Sequence, residues 1–101
     1  NIGRHRHTPE IEQIIARHAE TMPEVIFTPQ LAPMDRGILA TIYAKPSPGV
    51  TEKHIDETWN DAYGHEHFIR LVDHLPGTKD TVDTNFCALT VRLVRGRFIM
   101  I

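Results

Sequence analysis

The sequence predicts an α+β fold, an antiparallel or mixed sheet with two helices packed on one face. Three observations carry that prediction. Two stretches, 8–20 and 51–63, repeat apolar residues at helical spacing. Several short runs are rich in β-branched and aromatic residues and are bounded by proline, glycine or polar clusters. The order of these elements is α, β, β, α, β, β, β, so helices do not alternate with strands as a doubly wound parallel sheet requires.

In chain order, Thr8 reads as an N-cap, Pro9 as the first helical residue and Glu10 as a first-turn carboxylate. Ile11, Ile14, Ile15 and Ala19 then fall on one helical face, and Thr21-Met22-Pro23 ends the helix. Val25-Ile26-Phe27 is a short β-type run, followed by an extended segment bracketed by Pro29 and Pro33. Gly37 to Lys45 reads as a strand, and Pro46-Ser47-Pro48-Gly49 as a turn cluster. Thr51 caps a second helix that buries Ile55, Trp59, Ala62 and Tyr63 and stops at Gly64. His67 to Val72 is a strand and Leu75 to Lys79 a loop. Thr81 to Arg95 reads as one long strand with Cys87, Leu89, Val91 and Leu93 on its apolar face. Arg95-Gly96 turns it into a final strand, Arg97 to Ile101.

The chain of 101 residues is the size of one domain. Its net charge is −2 with both signs interspersed, which gives no electrostatic footprint for nucleic acid. No apolar run approaches the roughly 18 residues of a membrane span, so no membrane partner is expected. The single cysteine, Cys87, rules out an internal disulfide and fits a reducing, cytoplasmic setting; its place on an apolar strand face predicts a buried structural thiol. Asn1 at the start and the apolar Arg97–Ile101 run at the end read as cuts within a longer protein.

Chemistry concentrates in His5-Arg6-His7-Thr8-Pro9-Glu10. Imidazole titrates near neutrality and both gives and accepts protons. If the lead-in is extended, His5 and His7 project to the same side, with Arg4 and Arg6 opposite. Glu10, one helical turn beyond His7, is placed to orient a ring through its second nitrogen. Arg36, at the mouth of a strand, offers a guanidinium for carboxylate or phosphate. The competing reading is a non-catalytic interaction or metal-binding module using His5 and His7, with His65, His67, Asp73 and His74 as further candidate ligands; Arg6 between the first pair opposes a bound cation. Nucleophile motifs and phosphate-cradling glycine motifs are absent, so the chain has an acid/base candidate without a partner nucleophile.

Two motifs at this separation, His5-Arg6-His7-Thr8-Pro9-Glu10-Ile11-Glu12-Gln13 and Phe27-Thr28-Pro29-Gln30-Leu31-Ala32-Pro33-Met34-Asp35-Arg36-Gly37-Ile38, closely resemble the N-acetyl-gamma-glutamyl-phosphate reductase family. Asn85-Phe86-Cys87 is also similar to that family, and the resemblance spans the whole chain. It implies that residues 1–101 are part of the second, substrate and dimerisation domain, related to aspartate-semialdehyde dehydrogenases and of the glyceraldehyde-3-phosphate dehydrogenase C-terminal type. It implies NADPH-dependent conversion of N-acetyl-glutamyl-5-phosphate to the semialdehyde and phosphate, in arginine biosynthesis. His7 matches the family's acid/base, His5 a substrate-side histidine, Glu10 a nearby carboxylate, and Arg36 the arginine of the Pro-Met-x-Arg-Gly segment. Gln30 stands where many members carry histidine. The family's nucleophilic cysteine and its nucleotide-binding domain lie upstream of these motifs, so the resemblance places NADPH mainly outside this chain and leaves the chain inert alone. It also implies a small-molecule substrate and a homo-oligomeric parent enzyme, without metal.

Overall fold

A computed structural model describes residues 4–101. The chain divides into two units, the second beginning at Met34.

The first unit holds helix α1, His7–Ala16. It starts one residue earlier than the sequence predicts and ends four earlier. Its N-cap is Arg6, in the right-handed region with no side-chain cap, rather than Thr8. The reason is local: the carbonyl of His5 accepts from the Thr8 N–H at 3.0 Å, so the chain is already turning at His5. At the other end the Arg17 and His18 amides bond three residues back, to Ile14 and Ile15, which tightens and closes the last turn. Ile11 is half-buried while Ile14 and Ile15 are exposed. Val25-Ile26-Phe27 forms no strand. The Val25 N–H donates instead to the Glu12 carboxylate at 3.1 Å, which fixes this extended segment against α1.

The second unit carries the sheets. Strands β1 (Ile42–Ala44), β4 (Val91–Val94) and β5 (Arg97–Met100) form an antiparallel sheet in the order β1-β5-β4. Strands β2 (Ile69–Leu71) and β3 (Cys87–Leu89) form a separate parallel pair, Ile69 opposite Cys87 and Leu71 opposite Leu89. The α+β class stands, but the sheet is split in two. The long strand expected over residues 81–95 begins only at Cys87. Upstream, short polar side chains hold the backbone in turns: Gly77 N–H donates to Asp80 across a 3₁₀ turn (Thr78–Asp80), Thr84 Oγ1 donates to the Thr81 carbonyl, and Phe86 N–H donates to Thr84 Oγ1. Asp83 adds a left-handed residue, φ 58°. Likewise only three residues of the run expected over 37–45 pair with a neighbour, and Gly37 turns the chain at φ 91°.

Thr90 joins the two sheets. It exchanges both backbone hydrogen bonds with Ile101, each 3.0 Å, so one run of chain leaves the parallel pair and enters the antiparallel sheet without a loop. It is only 2% exposed. Phe98 of β5 is also well buried, at 9%.

Helix α2, Glu52–Tyr63, matches its expected bounds. Thr51 Oγ1 accepts from the His54 N–H, and His54 Nδ1 accepts from the Thr51 N–H, so a histidine completes a reciprocal capping box. Gly64 ends the helix in the right-handed region rather than the left-handed one. Trp59 and Tyr63 are half-buried and meet edge to face at 5.9 Å. The helix lies along Leu71 and Leu89, with Asp56 and Trp59 lining the cleft between them. Its cover stops short of Cys87, which is exposed rather than buried. Glu52 also accepts from the Leu93 N–H at 3.3 Å, occupying an outward-facing donor of the β4 edge.

Arg95 and Gly96 form the expected two-residue hairpin turn, both with positive φ, 48° and 72°. Arg95 therefore pays the left-handed penalty of a non-glycine residue. Arg95→Asn should raise stability by up to about 1 kcal/mol and Gly96→Ala should lower it by about 1 kcal/mol or more. Thr51→Ala removes one half of the capping box and should lower stability by about 1 kcal/mol. Chemical denaturation of the three variants beside the parent protein checks all three signs.

Candidate functional site

The first turn of α1 brings the two histidines together, although the lead-in is not extended. His5 precedes the helix and is half-buried; His7 is its first residue and is exposed. The His7 N–H donates to His5 Nδ1 at 3.3 Å, and the Thr8 N–H donates to the His5 carbonyl. His5 thus takes up two of the amides that a helix N-terminus leaves unpaired, the task the sequence assigns to Thr8. Thr8 Oγ1 is buried with no hydrogen-bond partner among the described residues.

The rings stand edge to face, centroids 4.8 Å apart at 68°. Phe27 closes the group, 5.1 Å from the His5 ring and 6.3 Å from that of His7. The sequence reads Phe27 as strand and Glu12 as part of a motif only. The Glu12 carboxylate on Val25 is what brings Phe27 to the rings, a pairing across thirteen residues that no local pattern announces.

This geometry makes the two imidazoles unequal. His5 uses Nδ1 as an acceptor, so its neutral form carries the proton on Nε2 and presents an N–H donor outward. That suits an oxygen of an anionic or carbonyl ligand. His7 contributes its backbone N–H to the pair, and among the described residues its ring nitrogens have no hydrogen-bond partner. It is the member of the pair with both ring positions open for proton exchange.

The remaining candidates are placed as follows. Glu10 is exposed in the first turn of α1, and among the described residues no hydrogen bond or ion pair joins it to either ring. Arg36 belongs to the second unit, where it is exposed in a bend just ahead of Gly37; among the described residues it forms no ion pair with Asp35. Gln30 is exposed in the first unit. His65 is exposed, and His67 stacks edge-on with Phe68 at 4.7 Å. Asp73 and His74 approach to 3.6 Å on the surface. Among the described residues no group of three or more histidine, cysteine, aspartate or glutamate side chains is arranged to hold a metal ion.

A cleft of about 220 Å³ lies between α2 and β4. Of the polar side chains that line it, Glu52 is engaged on the Leu93 amide and Arg92 on the carbonyls of Val91 and Asp73, and Asp56 is the third. The residues present do not fit a dinucleotide. Among the described residues neither α1 nor α2 opens from a glycine-rich turn after a strand, and the N-caps are Arg6 and Thr51, whose oxygen faces its own helix. No helix among the described residues is long and apolar enough to cross a membrane.

Comparison with known proteins agrees with the motif reading. The family described as semialdehyde dehydrogenase, dimerisation domain, matches residues 1–101. N-acetyl-gamma-glutamyl-phosphate reductase of Pelobacter propionicus is 45% identical over 98% of this chain and 30% of its own length. Proteins of that name from Pseudarthrobacter chlorophenolicus and Desulforudis audaxviator are each 46% identical, over 86% and 90% of this chain and 26% and 27% of their own lengths. The chain therefore spans under a third of the curated relatives it matches. With the family match running end to end, the chain belongs to the semialdehyde dehydrogenase dimerisation-domain family, and these relatives share the single name N-acetyl-gamma-glutamyl-phosphate reductase.

Proposed function

We propose that this chain is the proton-handling part of a reductase that converts N-acetyl-glutamyl-5-phosphate to the semialdehyde and phosphate, in arginine biosynthesis. The observation that carries this reading is the pairing of His5 and His7 at the entrance of α1, with His5 Nδ1 committed to the backbone and the His7 ring open. In an acyl-phosphate reductase a thiol attacks the acyl carbon and phosphate leaves, and NADPH, when bound, supplies the hydride. Both the thiol and the nucleotide site belong to parts of the enzyme outside these residues.

The geometry supports the following division of roles within this chain. His7 accepts the proton of the attacking thiol, since its ring nitrogens are uncommitted. His5 donates from Nε2 to an oxygen of the bound substrate and holds the turn in place through Nδ1. Glu10 and Arg36 are the further substrate-side groups, Glu10 from the same helical turn and Arg36 as an anion binder for phosphate or carboxylate. The parent protein is cytoplasmic and homo-oligomeric. The family's description as a dimerisation domain supports the second point, as do the apolar side chains exposed on and before β1, among them Ile38 at 91% and Tyr43 at 69%.

His7→Asn in the full-length protein should lower kcat by about 10²- to 10⁴-fold with little change in the thermal unfolding midpoint. Steady-state NADPH oxidation with the acyl phosphate measures it, and unchanged turnover would remove His7 from the mechanism. The 101 residues alone should show no NADPH oxidation in the same assay, because in this reading the attacking thiol, which is not Cys87, and the nucleotide site both lie outside them; measurable turnover would overturn that division of labour.

A further inference from the structure

We propose that Phe27 is a positioning residue for the histidine pair, held there by the Glu12–Val25 hydrogen bond. The inference rests on the reading of His5 and His7 as site residues. Three observations converge on it. The Phe27 ring lies 5.1 Å from His5 at 62° and 6.3 Å from His7, so it is the one carbocyclic ring against which both imidazoles stand among the described residues. Phe27 is half-buried, in a segment that joins no strand. That segment is fixed to α1 by the Glu12 carboxylate, which accepts the Val25 N–H at 3.1 Å.

The consequence is mechanical. An imidazole at a helix entrance has two torsions free, and an edge-to-face contact with a fixed ring removes most of that freedom. His5 must keep one ring orientation for Nδ1 to accept the His7 amide; a flipped ring places Cδ2, a carbon with no lone pair, there and frees Nδ1 to take either tautomer. Phe27 holds the unflipped ring. By holding His5 it also fixes the backbone at His7, and so the direction from which the His7 ring meets the reacting atoms. Leucine fills a similar volume but lacks the flat face, and so packs without fixing the ring. Tyrosine retains the face.

The test compares Phe27→Leu, Phe27→Tyr and Glu12→Ala in the full-length protein. Two readouts are taken: ¹⁵N NMR of labelled histidines, which reports the His5 tautomer directly, and steady-state kinetics. In the parent and in Phe27→Tyr, His5 should show an unprotonated Nδ1 acceptor and a protonated Nε2. In Phe27→Leu and Glu12→Ala that single tautomer should give way to a mixture, with kcat about 10- to 100-fold lower and KM changed less than about threefold. Should Phe27→Leu fail to fold, Glu12→Ala carries the same reading, since it leaves the ring and releases its tether. A single unchanged His5 tautomer in either variant would overturn the proposal. So would a kcat loss that Phe27→Tyr shares. The NMR arm is independent of turnover: if His7→Asn proves fully active while Phe27→Leu still scrambles the His5 tautomer, the catalytic reading fails and the positioning role stands.

Discussion

The Val25 amide is held by a carboxylate, not by a neighbouring strand, and much of this structure follows from the same kind of exchange. A backbone N–H that no helix or strand pairs still needs a partner. In this chain side chains repeatedly supply it: His5 for His7, Glu12 for Val25, His54 for Thr51, Asp80 for Gly77, Thr84 for Phe86 and Glu52 for Leu93. Some of these amides are ones that a helix end or a sheet edge leaves unpaired, as at His7, Thr51 and Leu93; others, as at Val25 and Phe86, lie in segments that join no strand. The strands are short, three or four residues each, and the segments between them are fixed without being regular.

That exchange marks where the sequence is legible. The second helix reads correctly to the residue because its capping, its apolar spacing and its stop are all local. The hairpin at Arg95-Gly96 is equally local, a two-residue turn between two apolar runs. The run from Thr81 to Phe86 misleads because its β-branched threonines favour a strand while their hydroxyls, with Asp80 and Asp83, favour turns; the hydrogen bonds decide for the turns. Val25 to Phe27 misleads for a different reason. Its composition is that of a strand, but its partner is a side chain on a helix, and no period in the sequence encodes that.

The sheet division has a comparable cause. Alternation along Cys87, Leu89, Val91 and Leu93 is continuous, so the sequence shows one strand. The backbone at Thr90 pairs with Ile101, while its neighbours on either side pair with different strands. Periodicity reports which face a residue occupies, not which neighbour its amide meets. Cys87 shows the limit of the facial argument as well: it shares its face with Leu89, but α2 covers only the Leu89 end.

The candidate site was legible in its residues and not in its geometry. The His-x-His spacing points to a shared side only if the chain is extended, and the chain instead turns at His5. The rings meet all the same, because a turn that lets one histidine cap the other's amide also brings them within 4.8 Å. The turn does something an extended lead-in could not. It makes the two imidazoles of a symmetric motif unequal, by using Nδ1 of His5 and leaving both ring nitrogens of His7 without a hydrogen-bond partner among the described residues. The asymmetry is set by backbone hydrogen bonding, before any substrate is present.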